Sequence, residues 1–271
     1  MIQPVFFALF TNSAIGLIFV TLFIPLQQIG KLYFRVTTIV AFVLVGLVLL
    51  SKPFGAPTMP EISGFDASTT DKLAYFSLQA CLIVIVIYNI ALPRYHKTLL
   101  VSIFVSGMLG VIFYSLSLHG FATTAVYDQW LIVGNSLSSA LLLGSVLGAM
   151  ITGHWYLVQH KLSITPLKTS TWIYLLAVVV RGVIVLCTLL FGGEAVRATG
   201  LFAGLGFRSY LFIARIVIGL LIPFVFGLMT WNAAKIQSTQ SATGILYATI
   251  VVVLLGEAFA GFLYLATGIP L

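Results

Sequence analysis

Long apolar stretches alternate with short polar connections along the whole chain. A helix needs about 20 apolar residues to cross the ~30 Å hydrocarbon layer of a bilayer, and eight stretches reach or approach that length. They cover residues 4–27, 33–51, 72–93, 98–118, 129–157, 171–193, 209–232 and 242–267. The pattern predicts an all-α, polytopic membrane helix bundle of about eight transmembrane helices, which forms a single integral membrane domain over residues 1–271.

Two short polar motifs suggest that this bundle consists of two four-helix halves. Asn12 lies within Thr11-Asn12-Ser13 of the first predicted helix, and Asn135 lies within Gly134-Asn135-Ser136 of the fifth. The two helices run in the same direction, and the motifs fall at similar predicted depths. The motifs therefore favour a four-plus-four arrangement.

The composition excludes a water-soluble fold and sets nucleic-acid binding aside. Charged residues make up 7% of the chain and hydrophobic residues 61%, whereas a soluble domain carries roughly 25% charged residues. A net charge of +7 would indicate nucleic acid in a soluble protein. Here, however, most basic residues lie in connections between apolar stretches, where they act as topology signals. Membrane lipid is the expected environment.

The distribution of Lys and Arg predicts the orientation of the bundle. The connections after the first, third, fifth and seventh helices hold Lys31, Arg35, Arg94, Lys97, Lys161, Lys168 and Lys235. The opposite connections hold Lys52, Lys72, Arg197 and Arg208. Because basic connections stay on the cytoplasmic side, we expect a multi-pass protein of the cytoplasmic (inner) membrane with both termini outside.

Three charged residues fall at membrane depth, away from the ends of the predicted helices. They are Arg181 in the sixth helix, Arg215 in the seventh and Glu257 in the eighth. At ~1.5 Å per residue, Arg215 lies ~9 Å from the outer end of its helix, Glu257 ~15 Å and Arg181 ~18 Å. Charges at membrane depth cost several kcal/mol, so they usually face the bundle interior and mark function.

Neutral amides share this layer in the outer half of the membrane. Asn12, Gln79 and Asn135 lie six to eight residues from the outer ends of the first, third and fifth helices. One interpretation is structural, with Glu257 neutralising an Arg and the amides joining helices by hydrogen bonds. The other is functional. Two Arg against one Glu leave one positive charge, which a quinone carbonyl, a heme propionate or an anionic substrate would accept.

The histidines raise the possibility of heme. Membrane cytochromes hold heme between His side chains of facing helices, and His154, in Gly153-His154-Trp155-Tyr156, is the one His that falls clearly within a predicted helix. No second His lies at a matching depth in a helix, so a heme b ligand at His154 is the weaker alternative. The sequence predicts no metal site.

The first helix resembles a known family of membrane anchors. The run Phe7-Ala8-Leu9-Phe10-Thr11-Asn12-Ser13-Ala14-Ile15-Gly16 is similar to the first-helix pattern of NrfD- and DmsC-type subunits, which are eight-helix proteins that handle quinol beside redox subunits. The resemblance covers about ten residues and the helix count. It implies a quinone site within the bundle and redox protein subunits of a larger complex as partners.

The leading hypothesis is a quinone-binding, proton-handling membrane subunit of a respiratory or related electron-transfer complex. Glu257 would exchange the quinol proton as the catalytic group. Arg181 or Arg215 would bind the ligand, with Asn12, Asn135 and Gln79 as further ligand-binding residues. Alternatives are a secondary transporter or channel-like protein for a small anionic or proton-coupled substrate, a structural subunit, and a b-type heme subunit.

Overall fold

The computed structural model confirms the helical bundle that the sequence predicts. It describes residues 2–51, 67–92, 95–118, 129–159, 162–191, 199 and 206–271. Within these residues, eight helices are long and apolar enough to cross a membrane. They are α1 (Ile2–Leu22), α2 (Lys31–Ser51), α3 (Ala67–Ala91), α4 (His96–Ser117), α5 (Gln129–Val158), α6 (Thr165–Phe191), α7 (Phe207–Lys235) and α8 (Thr239–Thr267). The protein is therefore a multi-pass, all-α membrane protein.

Three helix boundaries differ from the prediction by five or six residues. The third helix begins at Ala67 instead of residue 72. The first helix, expected to reach residue 27, ends at Leu22, and a short helix (Leu26–Ile29) follows Pro25. That short helix ends at Gly30, whose φ of 90° suits glycine. The sixth helix begins at Thr165 instead of residue 171. Pro166 favours this start, because N–H groups in the first turn of a helix have no partner within the helix and the fixed φ of proline suits that turn.

The seventh helix contains a π-helical turn. Val217–Leu221 forms a five-residue π segment between the α-helical parts Phe207–Ile216 and Ile222–Lys235. Pro223 lies two residues after this segment, and its missing N–H and its ring disfavour a regular i→i−4 hydrogen bond at this point. The Tyr174 hydroxyl of α6 donates a hydrogen bond to the carbonyl of Pro223. The π segment begins two residues after Arg215, which is buried.

The helices pack in the same order in the two halves of the chain. In the first half, neighbouring helices contact one another in the order α1, α2, α3 and α4, and α4 returns to α1. In the second half, α5, α6, α7 and α8 repeat that order, and α8 returns to α5. The two halves meet mainly through α1 and α5. This arrangement agrees with the expected four-plus-four bundle.

Glycines permit the closest approaches between helices. A Cβ atom added to Gly16 of α1 would overlap the backbone of Ala140, and one added to Gly144 of α5 would overlap the backbone of Gly16. Gly219 of α7 and Gly256 of α8 form a second approach of the same kind. Small residues of this type let membrane helices pack backbone to backbone. The first approach joins the two halves, and the second lies next to the charged residues of α7 and α8.

Candidate functional site

Arg181 and Glu257 form a bidentate ion pair between α6 and α8. The Arg181 Nε atom donates to Glu257 Oε1 at 3.0 Å, and Arg181 Nη2 donates to Glu257 Oε2 at 2.9 Å. Both residues are almost fully buried, with exposed fractions of 1% and 4%. Paired, charge-assisted hydrogen bonds of this geometry are the strongest that the two side chains can make. The pair therefore fixes α6 to α8 at the level of the site.

Arg215 adds a second positive charge to the same carboxylate. Its Nη2 atom lies 2.9 Å from Glu257 Oε1, and the residue is fully buried. The Nε and Nη1 atoms of Arg215 have no hydrogen-bond partner among the described residues. A Cβ atom at Gly219 would overlap Arg215 Nη1, so this glycine of the π segment leaves the space that the guanidinium occupies. The cluster carries two positive charges and one negative charge.

The fifth helix completes the hydrogen bonds of Arg181. Its Nη1 atom donates to the backbone carbonyl of Asn135 at 3.1 Å, to the Asn135 side-chain oxygen, and to the Ser138 hydroxyl at 3.1 Å. Nη2 also donates to the backbone carbonyl of Leu271 at 3.0 Å. Every nitrogen of this guanidinium therefore has an acceptor within the protein, as a buried charge requires.

A polar connection links the first helix to the carboxylate. The Asn12 amide nitrogen donates to the Ser139 hydroxyl oxygen at 3.2 Å, and the Ser139 hydroxyl interacts with the Glu257 carboxylate. The Asn12–Ser139 contact also shows that Asn12 and Asn135 are not level, because Ser139 lies one helical turn further along α5 than Asn135. The predicted equivalence of the two motifs is therefore offset by about one turn.

A small cavity lies beside this cluster, between α1, α5, α6 and α8. Its volume is about 70 Å³, which holds several water molecules. The polar residues that line it are Asn12, Asn135, Ser136, Ser139, Arg181, Glu257 and Tyr264. Apolar side chains, among them Val5, Leu9, Ile132 and Leu265, form the rest of the wall. Polar groups and an apolar wall meet here at membrane depth.

The structure brings together five of the six predicted site residues. Arg181, Arg215, Glu257, Asn135 and Asn12 belong to one connected cluster. Gln79, the sixth, lies half-buried on α3, which packs against α2 and α4, and it does not line the cavity. The prediction for Gln79 rests on its depth in the membrane, and depth does not determine which side of a helix faces the interior. Gln79 is therefore not supported as part of the site.

His154 lies apart from the cluster, near the opposite end of α5. Its side chain is exposed, and its Nδ1 atom shares a hydrogen bond of 2.8 Å with the Tyr247 hydroxyl of α8. No group of three His, Cys, Asp or Glu residues that could hold a metal ion occurs in the described part of the chain. Heme ligation by His154 stays a prediction, which the absorbance spectrum of the purified protein tests.

Three serines of α5 belong to the site, although the sequence alone does not identify them as site residues. Ser136 and Ser139 line the cavity, and Ser138 accepts a hydrogen bond from Arg181. Within a membrane helix, serine is also a common packing residue, so the residue type alone does not identify a site. Their positions one turn from Asn135, or next to it, are the signal that would have selected them.

Comparison with known proteins found no matching family model, no matching curated protein and no matching solved structure. The chemistry of the cavity and the charged cluster is therefore the basis for a functional proposal.

Proposed function

We propose that the chain is a membrane subunit of a respiratory or related electron-transfer complex, and that it binds a quinone or quinol at the cavity between α1, α5, α6 and α8. The observation that carries the proposal is a cavity at membrane depth lined both by the carboxylate of Glu257 and by neutral amides. A quinol needs a proton acceptor, and a quinone carbonyl needs hydrogen-bond donors. Both kinds of group meet at this cavity.

The existing hydrogen bonds suggest a role for each side chain. Because Arg181 already donates to Asn135, Ser138, Glu257 and Leu271, we assign it to electrostatic stabilisation. The amide nitrogens of Asn12 and Asn135 would donate to the quinone carbonyl. Oxidation of one quinol releases two protons and two electrons. Glu257 would accept the first proton and release it to water in the cavity before it accepts the second. The two electrons would pass to a redox group of a partner subunit.

The size of the cavity limits how a quinone would bind. Its volume of about 70 Å³ is less than that of the engineered cavity of about 150 Å³ that admits benzene. We therefore propose that the oxygen-bearing edge of the ring enters the cavity, while the ring packs against apolar lining residues such as Val5, Leu9 and Leu265.

Substitution of Ser139 by alanine tests this proposal with a matched control. Ser139→Ala removes one hydroxyl between Asn12 and Glu257, and we expect the KM for quinol to rise about fivefold, as for one lost hydrogen bond of ~1 kcal/mol. Ser145→Ala removes a buried hydroxyl from the same helix that bonds only to the carbonyl of Leu142, and we expect no change. The measurement is quinol-dependent reduction of the co-purified partner. Equal KM values for both variants and the wild type would contradict the proposal.

A transport function is the second candidate, and the shape of α7 favours it. Transporters bind substrates where helices are interrupted near the middle of the membrane. In α7, a π segment begins two residues after Arg215, and Pro223 follows this segment. In that case the chain alone, reconstituted in liposomes, would take up a small anion. Loss of function on removal of redox partners would favour the first candidate.

For the orientation, we propose that the end of the bundle with Lys31, Lys97, Lys168 and Lys235 faces the cytoplasm. No Asp or Glu occurs in the connections at this end, and a basic bias marks the cytoplasmic side. Both termini would then lie on the outer side of the inner membrane, opposite to the cytoplasm. The test is a reporter enzyme that is active only in the cytoplasm, fused after Leu271. Activity of this reporter would contradict the proposed orientation.

A further inference from the structure

The outer surface of α6 and α7 carries paired Lys and Trp residues at one end of the bundle. Lys168 and Trp172 lie one turn apart near the start of α6, and Trp231 and Lys235 lie one turn apart at the end of α7. The two Trp rings contact each other, with 5.3 Å between their centroids, and Lys235 Nζ lies 5.4 Å from the Trp231 ring. Each lysine therefore lies one helical turn from one of two Trp rings that contact each other, and both lysines lie at the same membrane surface.

An apolar groove follows the same two helices deeper into the membrane. Its volume is about 240 Å³. The lining residues are Val178, Val179, Ile216, Leu220, Leu221 and Phe224. Val179 lies seven residues after Trp172 on α6, and Phe224 lies seven residues before Trp231 on α7, so the groove begins ~10 Å below the Trp pair on the same helix faces. Leu220 and Leu221 belong to the π segment, so the irregular turn supplies part of the groove.

The order of these groups matches the structure of a phospholipid. Lys side chains attract anionic headgroups, Trp rings favour the interface between headgroups and acyl chains, and an apolar groove suits an acyl chain. Charge complementarity favours a negative headgroup, because the connections at this end of the bundle contain Lys and Arg but no Asp or Glu. Trp172 is 59% exposed, so the position is accessible to lipid.

We propose that one anionic phospholipid binds along α6 and α7. Its phosphate lies between Lys168 and Lys235, its glycerol region contacts Trp172 and Trp231, and one acyl chain occupies the groove beside the π segment. The site does not depend on the ligand of the charged cavity. It connects the composition of the membrane to α7, the helix that carries Arg215.

Fluorescence quenching by brominated lipids tests the site directly. The purified chain with Trp130→Phe, which removes a second exposed Trp, is placed in phosphatidylcholine vesicles that contain a small fraction of acyl-brominated phosphatidylglycerol. Bromine quenches Trp fluorescence on contact. We expect brominated phosphatidylglycerol to quench about five- to tenfold more effectively than brominated phosphatidylcholine at equal fractions, given two lysines near the surface.

Two double variants distinguish a specific lipid-binding site from general attraction of anionic lipid to the positively charged surface. Lys168→Gln/Lys235→Gln is expected to abolish the preference for phosphatidylglycerol. Lys31→Gln/Lys97→Gln removes two exposed lysines from the same end of the bundle and is expected to retain the preference. The proposal is overturned if the wild type shows no preference, if the first variant keeps it, or if both variants lose it equally.

Discussion

Replacement of Glu257 by alanine is expected to destabilise the bundle so strongly that little folded protein is present in the membrane. The change leaves the guanidiniums of Arg181 and Arg215 buried with no negative charge between them. Breaking a buried ion pair by removal of one partner costs about 3–5 kcal/mol, a large part of the stability of an ordinary domain. The yield of monodisperse protein after detergent extraction, followed by thermal unfolding, measures the effect.

Arg215→Met provides the matched comparison for this prediction. It leaves Arg181 and Glu257 as a neutral, bidentate pair and removes a guanidinium with two nitrogens that lack partners among the described residues. We therefore expect a smaller loss of stability than for Glu257→Ala. In the double variant Arg215→Met/Glu257→Ala, one buried charge remains instead of two, so the two changes are expected to cost less than their sum. A Glu257→Ala protein as stable as the wild type would show that the cluster does not hold α6, α7 and α8 together.

Gly144→Leu is expected to have the second large effect, through the contact between the two halves. The new side chain would overlap the backbone of Gly16 and Leu17, and backbone atoms cannot move aside as a flexible side chain does. We expect a loss of at least about 3 kcal/mol, at the upper end of the range for overpacked cores. The position of α1 relative to Ser139 would change with it, so ligand binding at the cavity should fall together with stability.

The control for this substitution is Gly46→Leu in α2. No atom lies within 4 Å of a Cβ added to Gly46, so a leucine there has room and suits a membrane helix. Unfolding in a denaturing detergent compares the two variants with the wild type. Equal stability of Gly144→Leu and Gly46→Leu would mean that the close approach of α1 and α5 does not stabilise the bundle.

The sequence predicts the helices well because the bilayer imposes a fixed length on them. All eight expected spans have a helix in the structure, and α5 begins at the expected residue 129 and ends one residue beyond the expected 157. Two of the three larger errors lie at Pro25 and Pro166, where the local effect of proline decides where a helix ends or begins. The third is the start of α3, five residues earlier than expected. The π segment of α7 was not expected, since hydrophobicity does not distinguish it from an α-helical turn.

The sequence predicts those site residues that carry a charge, because a buried charge is costly. Arg181, Arg215 and Glu257 are selected because each is too costly inside a membrane to lack a partner, and the structure joins them. Ser139 and the carbonyl of Leu271 are missed, because their roles depend on which helix faces which. Gln79 is selected by depth alone, and the packing of α3 against α2 and α4 leaves it away from the cavity.

Photolabelling with an azido-quinone, mapped by mass spectrometry of the purified protein, tests the proposed quinone site most directly. We expect labels on the cavity-lining parts of α1, α5, α6 and α8, within residues 4–12, 132–139 and 257–265 and at Arg181. We also expect these labels to be lost when excess unmodified quinone competes. Labels confined to other helices, or cavity labels that excess quinone does not reduce, would contradict a quinone site beside Arg181 and Glu257.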